Sequence, residues 1–316
     1  MTTGGTYGDG TAVVRETFDL SVVISTHSRP AQVREAIAAI RAQDHPGAIE
    51  TIVVWDKTEP EWDLAVSDAH RPVRILANDR TPGLPGSRNC GAAAAHAPVL
   101  GFCDDDDLWL PDKARRQLDL LERTGADTCS SGLEVVIDGQ ILARPGIDGL
   151  LRYVDLLRSR RMEAYMGTAM VRADAFWGDI GPLDEHIPGG YAEDYEWMLR
   201  ATRHTPVPVE PEPLLQMRWI VQSHFRDQWP DWEAALGQVL RDNPDFSREP
   251  AGRARVEGQI AVAIAAQGRR TDALRQIRTT LRWSWREPRA AIALAVVAGV
   301  PASRISAVLN RRGRGI

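Results

Sequence analysis

Cysteine is scarce in this chain of 316 residues: only Cys90, Cys103 and Cys129 occur, far apart and at no metal-ligand spacing. That argues against a cysteine-based zinc module and against a disulfide framework; buried thiols in a reducing compartment are expected. Long apolar runs are lacking as well. The longest near the C-terminus, Ala290 to Val300, is too short and too alanine-rich to span a bilayer. The opening stretch "MTTGGTYGDGTAVVRETFD" is rich in Gly and Thr and has no apolar core of the kind a secretory leader needs. A cytoplasmic protein is expected. No GxGxxG follows the first apolar run, which disfavours a dinucleotide-binding dehydrogenase. The segment after that run, "STHSRPAQ", contains no glycine, and a nucleotidyltransferase would carry a Gly-rich basic loop there.

What is present divides the chain by charge. From Arg241 to the end there are 15 arginines and 6 acidic residues, whereas the preceding part holds 23 basic and 37 acidic ones. Two units of opposite sign are implied. The basic unit reads as a solvated helical surface, with peripheral docking to an anionic membrane as the sharper alternative. Its arginines are not interleaved with aromatics in a recognisable module, so nucleic acid is not expected as a partner.

Apolar runs then alternate with helical periodicity. "FDLSVVIST" (18–26), "ETIVVWD" (50–56), "VRILAND" (73–79) and "PVLGFCDDDD" read as buried strands. Between them, Val33, Ile37 and Ile40 recur at helical spacing, with Ser28 as a candidate N-cap and Pro30 in the first turn; "GLPGSRNCGAAAAHA" opens a second helix. Ala114, Leu118 and Leu121 mark a third. Such alternation predicts a mainly parallel sheet covered on both faces, with ligands beyond the carboxyl ends of its strands. The polar strand ends, Ser25-Thr26-His27, Asp56, Asn78-Asp79 and Asp104–Asp107, should converge on one edge. Further on, "CSSGLEVVIDGQILAR" reads as a hairpin turning at Asp138-Gly139, and "GGYAEDYEWMLRAT" enters a helix with Glu193 and Asp194 at its start. From about Trp232 the chain reads as helical, with Leu274, Ile277 and Leu281 sharing one face and short helix pairs resembling a hairpin array.

The run Asp104–Asp107 poses the sharpest question, because four adjacent like charges repel unless something cationic resides there. A hard divalent cation suits carboxylate oxygens and bridges the phosphates of a nucleotide. A structural Ca²⁺ loop is the competing reading, but the EF-hand glycine and terminal glutamate are missing. A solvated turn is the other, and the preceding apolar "VLGFC" weighs against it.

The chain from about Leu20 to His224 resembles a family 2 glycosyltransferase. The segments that carry the resemblance are "SVVISTHSRP", "TIVVWD", "NDRTPGLPGSRNCGAAAA", "FCDDDDLWLPDK" and "GDIGPLDEHIPGGYAEDYEWMLR", in the family's order. The resemblance implies an α/β GT-A fold, a Rossmann-like, mixed but mainly parallel sheet flanked by helices. That domain would span 18–230, with a nucleotide-sugar half at 18–125 and an acceptor half at 126–230. It would follow a flexible N-terminus (1–17) and precede a basic helical region at 231–316.

The resemblance also assigns roles. Thr26, His27, Arg29, Asp56, Arg88, Asp104 and Asp105 would bind the nucleotide-sugar donor. Asp56 would accept from an imide N–H, which suits uracil or thymine, and Arg88 would face the nucleotide. Asp106, Asp104 and His224 would hold Mn²⁺ or Mg²⁺, and Asp107 would cap the helix beginning near Pro111. Asp194 would be the general base of an inverting transfer, with Glu193 and Trp197 on the acceptor side. "QMRW" at 216–219 is one residue short of the processive synthases' QxxRW, so single transfer is expected. The acceptor is open among glycan, lipid-linked, peptide and secondary-metabolite hydroxyls, and a homodimer is left open. A non-catalytic nucleotide-sugar- or sugar-binding module of the same fold, or a sugar nucleotidyltransferase, is the alternative.

Overall fold

The run Leu20–Thr26 sets Leu20, Val22 and Ile24 on one face and Val23 between Ser21 and Ser25 on the other, and it forms a strand buried throughout, β1. A computed structural model describes residues 17–137, 139–218, 228–302 and 304–305. After β1 come α1 (Pro30–Arg41), β2 (Ile49–Trp55), β3 (Val73–Ala77), α2 (Leu84–Ala93) and β4 (Val99–Asp104). Val33, Ile37 and Ile40 of α1 are buried as their spacing requires. Its N-cap is Arg29 rather than Ser28, without a side-chain cap; Ser28 instead takes a left-handed backbone, φ 59°.

The next elements are β5 (Leu108–Trp109), α3 (Lys113–Thr124), β6 (Thr128–Ile137), β7 (Gln140–Arg144), β8 (Gly149–Leu151) and α4 (Tyr153–Arg158). Then follow β9 (Met170–Arg172), α5 (Ala173–Trp177), α6 (Glu193–His204) and β10 (Val207–Arg218). β6 and β7 pair antiparallel with Ile137 opposite Gln140, the expected hairpin; Asp138 at its turn lies outside the described residues. The sheet order is β3-β2-β1-β4-β9-β6-β10-β5. β3, β2, β1 and β4 run parallel, β9 is antiparallel to both β4 and β6, and β10 runs parallel to β6. The fold is therefore the expected mixed, mainly parallel sheet.

The chain steps outward from β1 to β3 and returns to β4 on the other side of β1. The β1/β4 boundary is thus a topological switch point, where a crevice opens beyond the carboxyl ends. Alternate residues of β1 serve opposite cores: Val23 packs with Ile52, Phe102 and Trp197, while Val22 and Ile24 pack with Val33, Ile40 and Leu121. Gly91 lets α2 lie against the strands, since a Cβ there would come within 2.4 Å of Val23 Cγ1.

Helices α7 (Trp229–Asp242), α8 (Pro250–Ala266), α9 (Arg270–Trp283) and α10 (Pro288–Val297) complete the described chain. α8 is apolar nearly all round, and from Gly252 to Ala265 nearly every residue is buried between its neighbours. Val256 and Ile260 share one apolar cluster with Leu156 and Trp197, and a Cβ on Gly252 would come within 1.8 Å of the Leu157 carbonyl oxygen, so these helices dock on the acceptor half rather than hang from it. The face expected on α9 differs from the buried one. Ile277 is buried with Ala273 and Thr280, but Leu274 is 45% exposed and Leu281 38% exposed. Among the described residues no helix is long and apolar enough to cross a membrane.

A buried lysine opens α3. The Lys113 ammonium donates to Gln117 Oε1 and, at 3.2 Å, to the Thr168 carbonyl, and sits 4.9 Å from the centre of the Trp109 ring. Burial pushes it down to about 7. An unfolded lysine keeps its proton to about pH 10.4, so above pH 7 the folded chain binds fewer protons and stability rises with pH. Relative to Lys113→Met, the wild type should gain up to about 1.4 kcal/mol between pH 7 and 8, below the range where unfolded thiols titrate. Urea unfolding of both proteins at the two pH values checks this; equal slopes would contradict it.

Candidate active site

The polar strand ends meet as anticipated. Thr26 closes β1, Asp56 follows β2, Asn78 follows β3 and Asp104 closes β4, all at one sheet edge. Asn78 Nδ2 donates to Asp56 Oδ1 at 2.8 Å, and the Asp56 N–H donates to the Thr26 carbonyl at 2.9 Å. His27 Nδ1 lies 2.7 Å from the Asp56 carbonyl oxygen. Thr26 Oγ1 donates across the switch point to Asp105 Oδ2 at 2.8 Å. Among the described residues, the non-glycine positions with positive φ are Ser28, Lys57 and Ala192. Each adjoins a candidate residue, as expected where backbone strain is held at a functional site.

Each aspartate of the run has its own partners. Arg29 Nη1 donates to Asp105 Oδ1 (2.9 Å) and Asp106 Oδ2 (2.6 Å). Arg88 Nη2 donates to Asp104 Oδ1 at 2.6 Å. The Tyr165 hydroxyl lies 2.7 Å from Asp104 Oδ2 and 2.5 Å from Asp107 Oδ2. One phenol proton cannot serve two carboxylates. Burial and the Asp104 charge hold the Asp107 carboxyl well above the usual range. Burial, then Asp104 and Asp105, push Asp106 up to about 6.

The second acidic pair opens α6. Arg88 Nη1 donates to Glu193 Oε1 at 2.5 Å, so one guanidinium joins the two acidic motifs. Burial and the Asp194 charge push Glu193 up to about 7, against the pull of Arg88. Asp194 accepts from Arg160 Nη2 at both oxygens, at 2.8 and 2.9 Å, and from the Tyr195 N–H. Asp104 and Glu193 are thus ligands of the same cation, with Asp194 beside them.

Several expectations need correction. Arg88 does not face an open nucleotide pocket: it is 2% exposed and enclosed by carboxylates from both motifs. Trp197 cannot touch an acceptor, being 0% exposed in the core, where its Nε1 donates to the Gly181 carbonyl and its ring neighbours Phe176. Asp107 caps no helix; α3 starts at Lys113 with Asp112 at its N-cap, and the Asp107 carboxyl bonds Tyr165 instead. His224, with Trp219, lies outside the described residues.

Sequence reasoning missed Arg160 and Tyr165, which come from an irregular segment with no periodicity to mark them. It also missed Asn89 and Glu185, although both fall inside quoted motif segments. Asn89 exchanges hydrogen bonds with the Leu183 backbone and donates to Glu185 Oε1. Glu185 also accepts from Arg80 and the Thr81 N–H; these bonds outweigh burial and pull its carboxyl down to about 2. Together they clamp the loop before α6 onto the nucleotide half.

Among the described residues no group of three or more His, Cys, Asp or Glu side chains is arranged to hold a metal alone. A hard cation that shares its shell with substrate phosphates needs only one or two protein carboxylates. Asp104 and Asp106 would supply that donor set; Asp106 is pushed up first by burial and then by the Asp104 and Asp105 charges, and a cation would relieve the latter part. The residues fit a nucleotide-borne Mn²⁺ or Mg²⁺.

Comparison with known proteins gives a concordant picture. The succinoglycan biosynthesis protein ExoO of Rhizobium meliloti (strain 1021) is 31% identical over 169 residues, 53% of this chain and 47% of that protein. The glycosyltransferase AglE of Haloferax volcanii is 24% identical over 192 residues, 58% of this chain and 61% of its own length. The chain therefore spans about half the length of the curated relatives it matches. The crystal structure of S. aureus TarS 1-349 in complex with UDP-GlcNAc superposes with a TM-score of 0.58 at 13% identity, covering 94% of this chain and 93% of that one. That likeness shows a shared fold. The model of the family described as "Glycosyl transferase family 2" matches residues 21–178, half of the chain, from β1 through the aspartate run to the end of α5. The chain belongs to glycosyl transferase family 2.

Proposed function

We propose that this protein transfers one sugar from a nucleotide-diphospho-sugar, with a uridine donor favoured and thymidine open, to an acceptor hydroxyl with inversion. The observation that carries the proposal is the Arg88 bridge, which couples Asp104 of the donor motif to Glu193 beside Asp194. The Asp56 carboxylate, fixed by Asn78, accepts the imide N–H of the base. Binding of UDP-GlcNAc by the TarS fold neighbour supports a uridine donor. Asp105, fixed by Thr26 and Arg29, is presented to the ribose. Mn²⁺ or Mg²⁺ held by Asp106 and Asp104 would offset the charge that develops on the departing diphosphate. Asp194, oriented by Arg160, takes the acceptor's hydroxyl proton as its oxygen attacks the anomeric carbon opposite the diphosphate. The C–O bond to the diphosphate breaks in the same step.

Thermal unfolding with UDP-, dTDP- and GDP-sugars, with and without Mn²⁺, tests the donor half. A ligand at about 100 times its Kd stabilises the folded state by about 2.7 kcal/mol. A metal-dependent rise with UDP-sugars is expected, reduced in Asp56→Asn. No shift with any donor would overturn the donor reading.

The basic helices carry a second expectation, contact with an anionic membrane. Many of their arginines are spent on ion pairs: Arg253 with Glu257, Arg269 with Glu233, Arg275 with Asp272 and Arg289 with Glu287. Arg278, Arg282 and Arg286 have no ion pair among the described residues. They accompany Leu274, Leu281 and Trp285, the last 74% exposed, on and just beyond α9. Arginines around an exposed tryptophan and leucines suit a negatively charged lipid surface. Sedimentation should show binding to phosphatidylglycerol-containing vesicles over pure phosphatidylcholine, weakened about fivefold by Arg282→Gln. Equal binding to both vesicles would contradict the expectation.

A further inference from the structure

Beside Asp194 the structure gathers more cationic than anionic side chains, and the excess is localised. Arg160 and Arg255 both lie against the ring of Tyr195, their guanidinium carbons 5.8 and 5.6 Å from its centre. Arg255 donates to the Tyr195 hydroxyl at 2.8 Å, and that hydroxyl donates to the Leu156 carbonyl at 2.6 Å. Arg289 joins them from the start of α10. Its side chain packs on Gly258, one helical turn along α8 from Arg255: a Cβ there would come within 3.5 Å of Arg289 Cδ.

Their carboxylates do not balance them. Asp194 pairs with Arg160 and Glu287 with Arg289, two carboxylates for three guanidinia. Arg255 has no carboxylate among the described residues; its one hydrogen-bond partner there is a neutral phenol. Burial lowers its pKa, and repulsion from Arg289 and Arg160 acts the same way. The Nε groups of Arg255 and Arg289 are buried and lack partners among the described residues. A guanidinium fork left without an anion, next to two more, is complementary to a compact oxyanion.

We propose that Arg255 and Arg289, together with Arg160, form a subsite for an oxyanion carried by the acceptor: a phosphate ester or a carboxylate adjoining the sugar that receives the transfer. The proposal rests on the reading of Asp194 as the acceptor-side base, because the subsite shares Arg160 with it. Its role is to position. With the acceptor's anion held there, the attacking hydroxyl is directed to Asp194, and a neutral acceptor loses that anchor.

The test uses the full chain with UDP present throughout, so that the donor pocket is filled. Inorganic phosphate, glycerol 3-phosphate and glucuronate are each titrated at constant ionic strength set with sodium chloride, and the unfolding midpoint is read. A saturable rise with the two phosphates alone identifies a phosphate ester; a rise with glucuronate alone identifies a carboxylate. Either supports the subsite, provided that Arg255→Gln weakens the binding by about tenfold or more while the UDP-induced shift persists. Arg255→Lys should recover part of the affinity, keeping the charge but not the fork. Retention of the UDP shift shows that either variant is folded. No saturable rise with any probe, or unchanged affinity in Arg255→Gln, overturns the proposal. Failure of UDP itself to shift the wild type would overturn the donor reading alone; the probe titrations would still decide this one, with an unchanged circular dichroism spectrum showing that each variant is folded.

Discussion

Replacing Arg88 with methionine is expected to destabilise the fold by about 3–5 kcal/mol, the usual cost of leaving a buried ionic partner uncompensated. Arg88 is enclosed by Asp104 and Glu193, which come from different halves of the domain. Burial opposes its charge, yet the two carboxylates outweigh that and hold the guanidinium above its ordinary value. Methionine fills much of the volume but leaves both acids facing each other. Asp104 keeps some solvent contact, which places the loss toward the lower end. Urea unfolding measures it as a fall in midpoint at unchanged slope. The loss should shrink as pH falls from about 8.5 toward 7. Without Arg88 the Glu193 carboxyl, already at about 7, is raised further, so the variant's folded state binds that proton above pH 7, where the wild type's does not, and the window of change lies above 7. Adding Glu193→Gln should likewise recover part of the loss. A change below about 1 kcal/mol would mean that the bridge does not hold the two motifs together.

Asp194→Asn is expected to lower the turnover of sugar transfer by about 10²–10⁴-fold while donor affinity stays within about twofold. The amide keeps the shape and can still meet the Tyr195 N–H, but it cannot take a proton from an acceptor hydroxyl. Arg160→Lys should have a smaller effect, because it loosens the orientation of a base that is still present. Donor binding by thermal shift and transfer under saturating donor separate the two effects. Near wild-type turnover in Asp194→Asn would move the base elsewhere, with Glu193, raised to about 7, next in place.

The strands were legible because continuous apolar runs such as Leu20–Thr26 have few other ways to be buried, and their polar ends then had to share an edge. The helix at Glu193 was legible from its acidic first turn. What could not be read was who pairs with whom across long separations. Arg88 meets Glu193 across 105 positions, and no period carries that information. Its strong side-chain charge pointed toward a ligand, whereas the neighbourhood supplied protein carboxylates. Trp197 misled for a related reason. It lies one helical turn from Glu193, but the helix buries both, one in the charged cluster and one in the apolar core. On α9 the leucines suggested a core face, while smaller Ala273 and Thr280 pack with Ile277 and leave the leucines outside.

The aspartate run looked unstable without a metal. The structure answers part of that repulsion with Arg29, Arg88 and the Tyr165 hydroxyl, and leaves Asp106 shifted up to about 6. The most direct measurement of the whole account is release of nucleoside diphosphate from UDP-GlcNAc and other UDP-sugars, with water standing in for the acceptor. The account predicts slow release that needs Mn²⁺ or Mg²⁺, exceeds the enzyme-free rate and falls to it in Asp106→Asn. A UDP-sugar that binds with a clear thermal shift yet stays intact, with metal present, would contradict catalysis and leave a binding module.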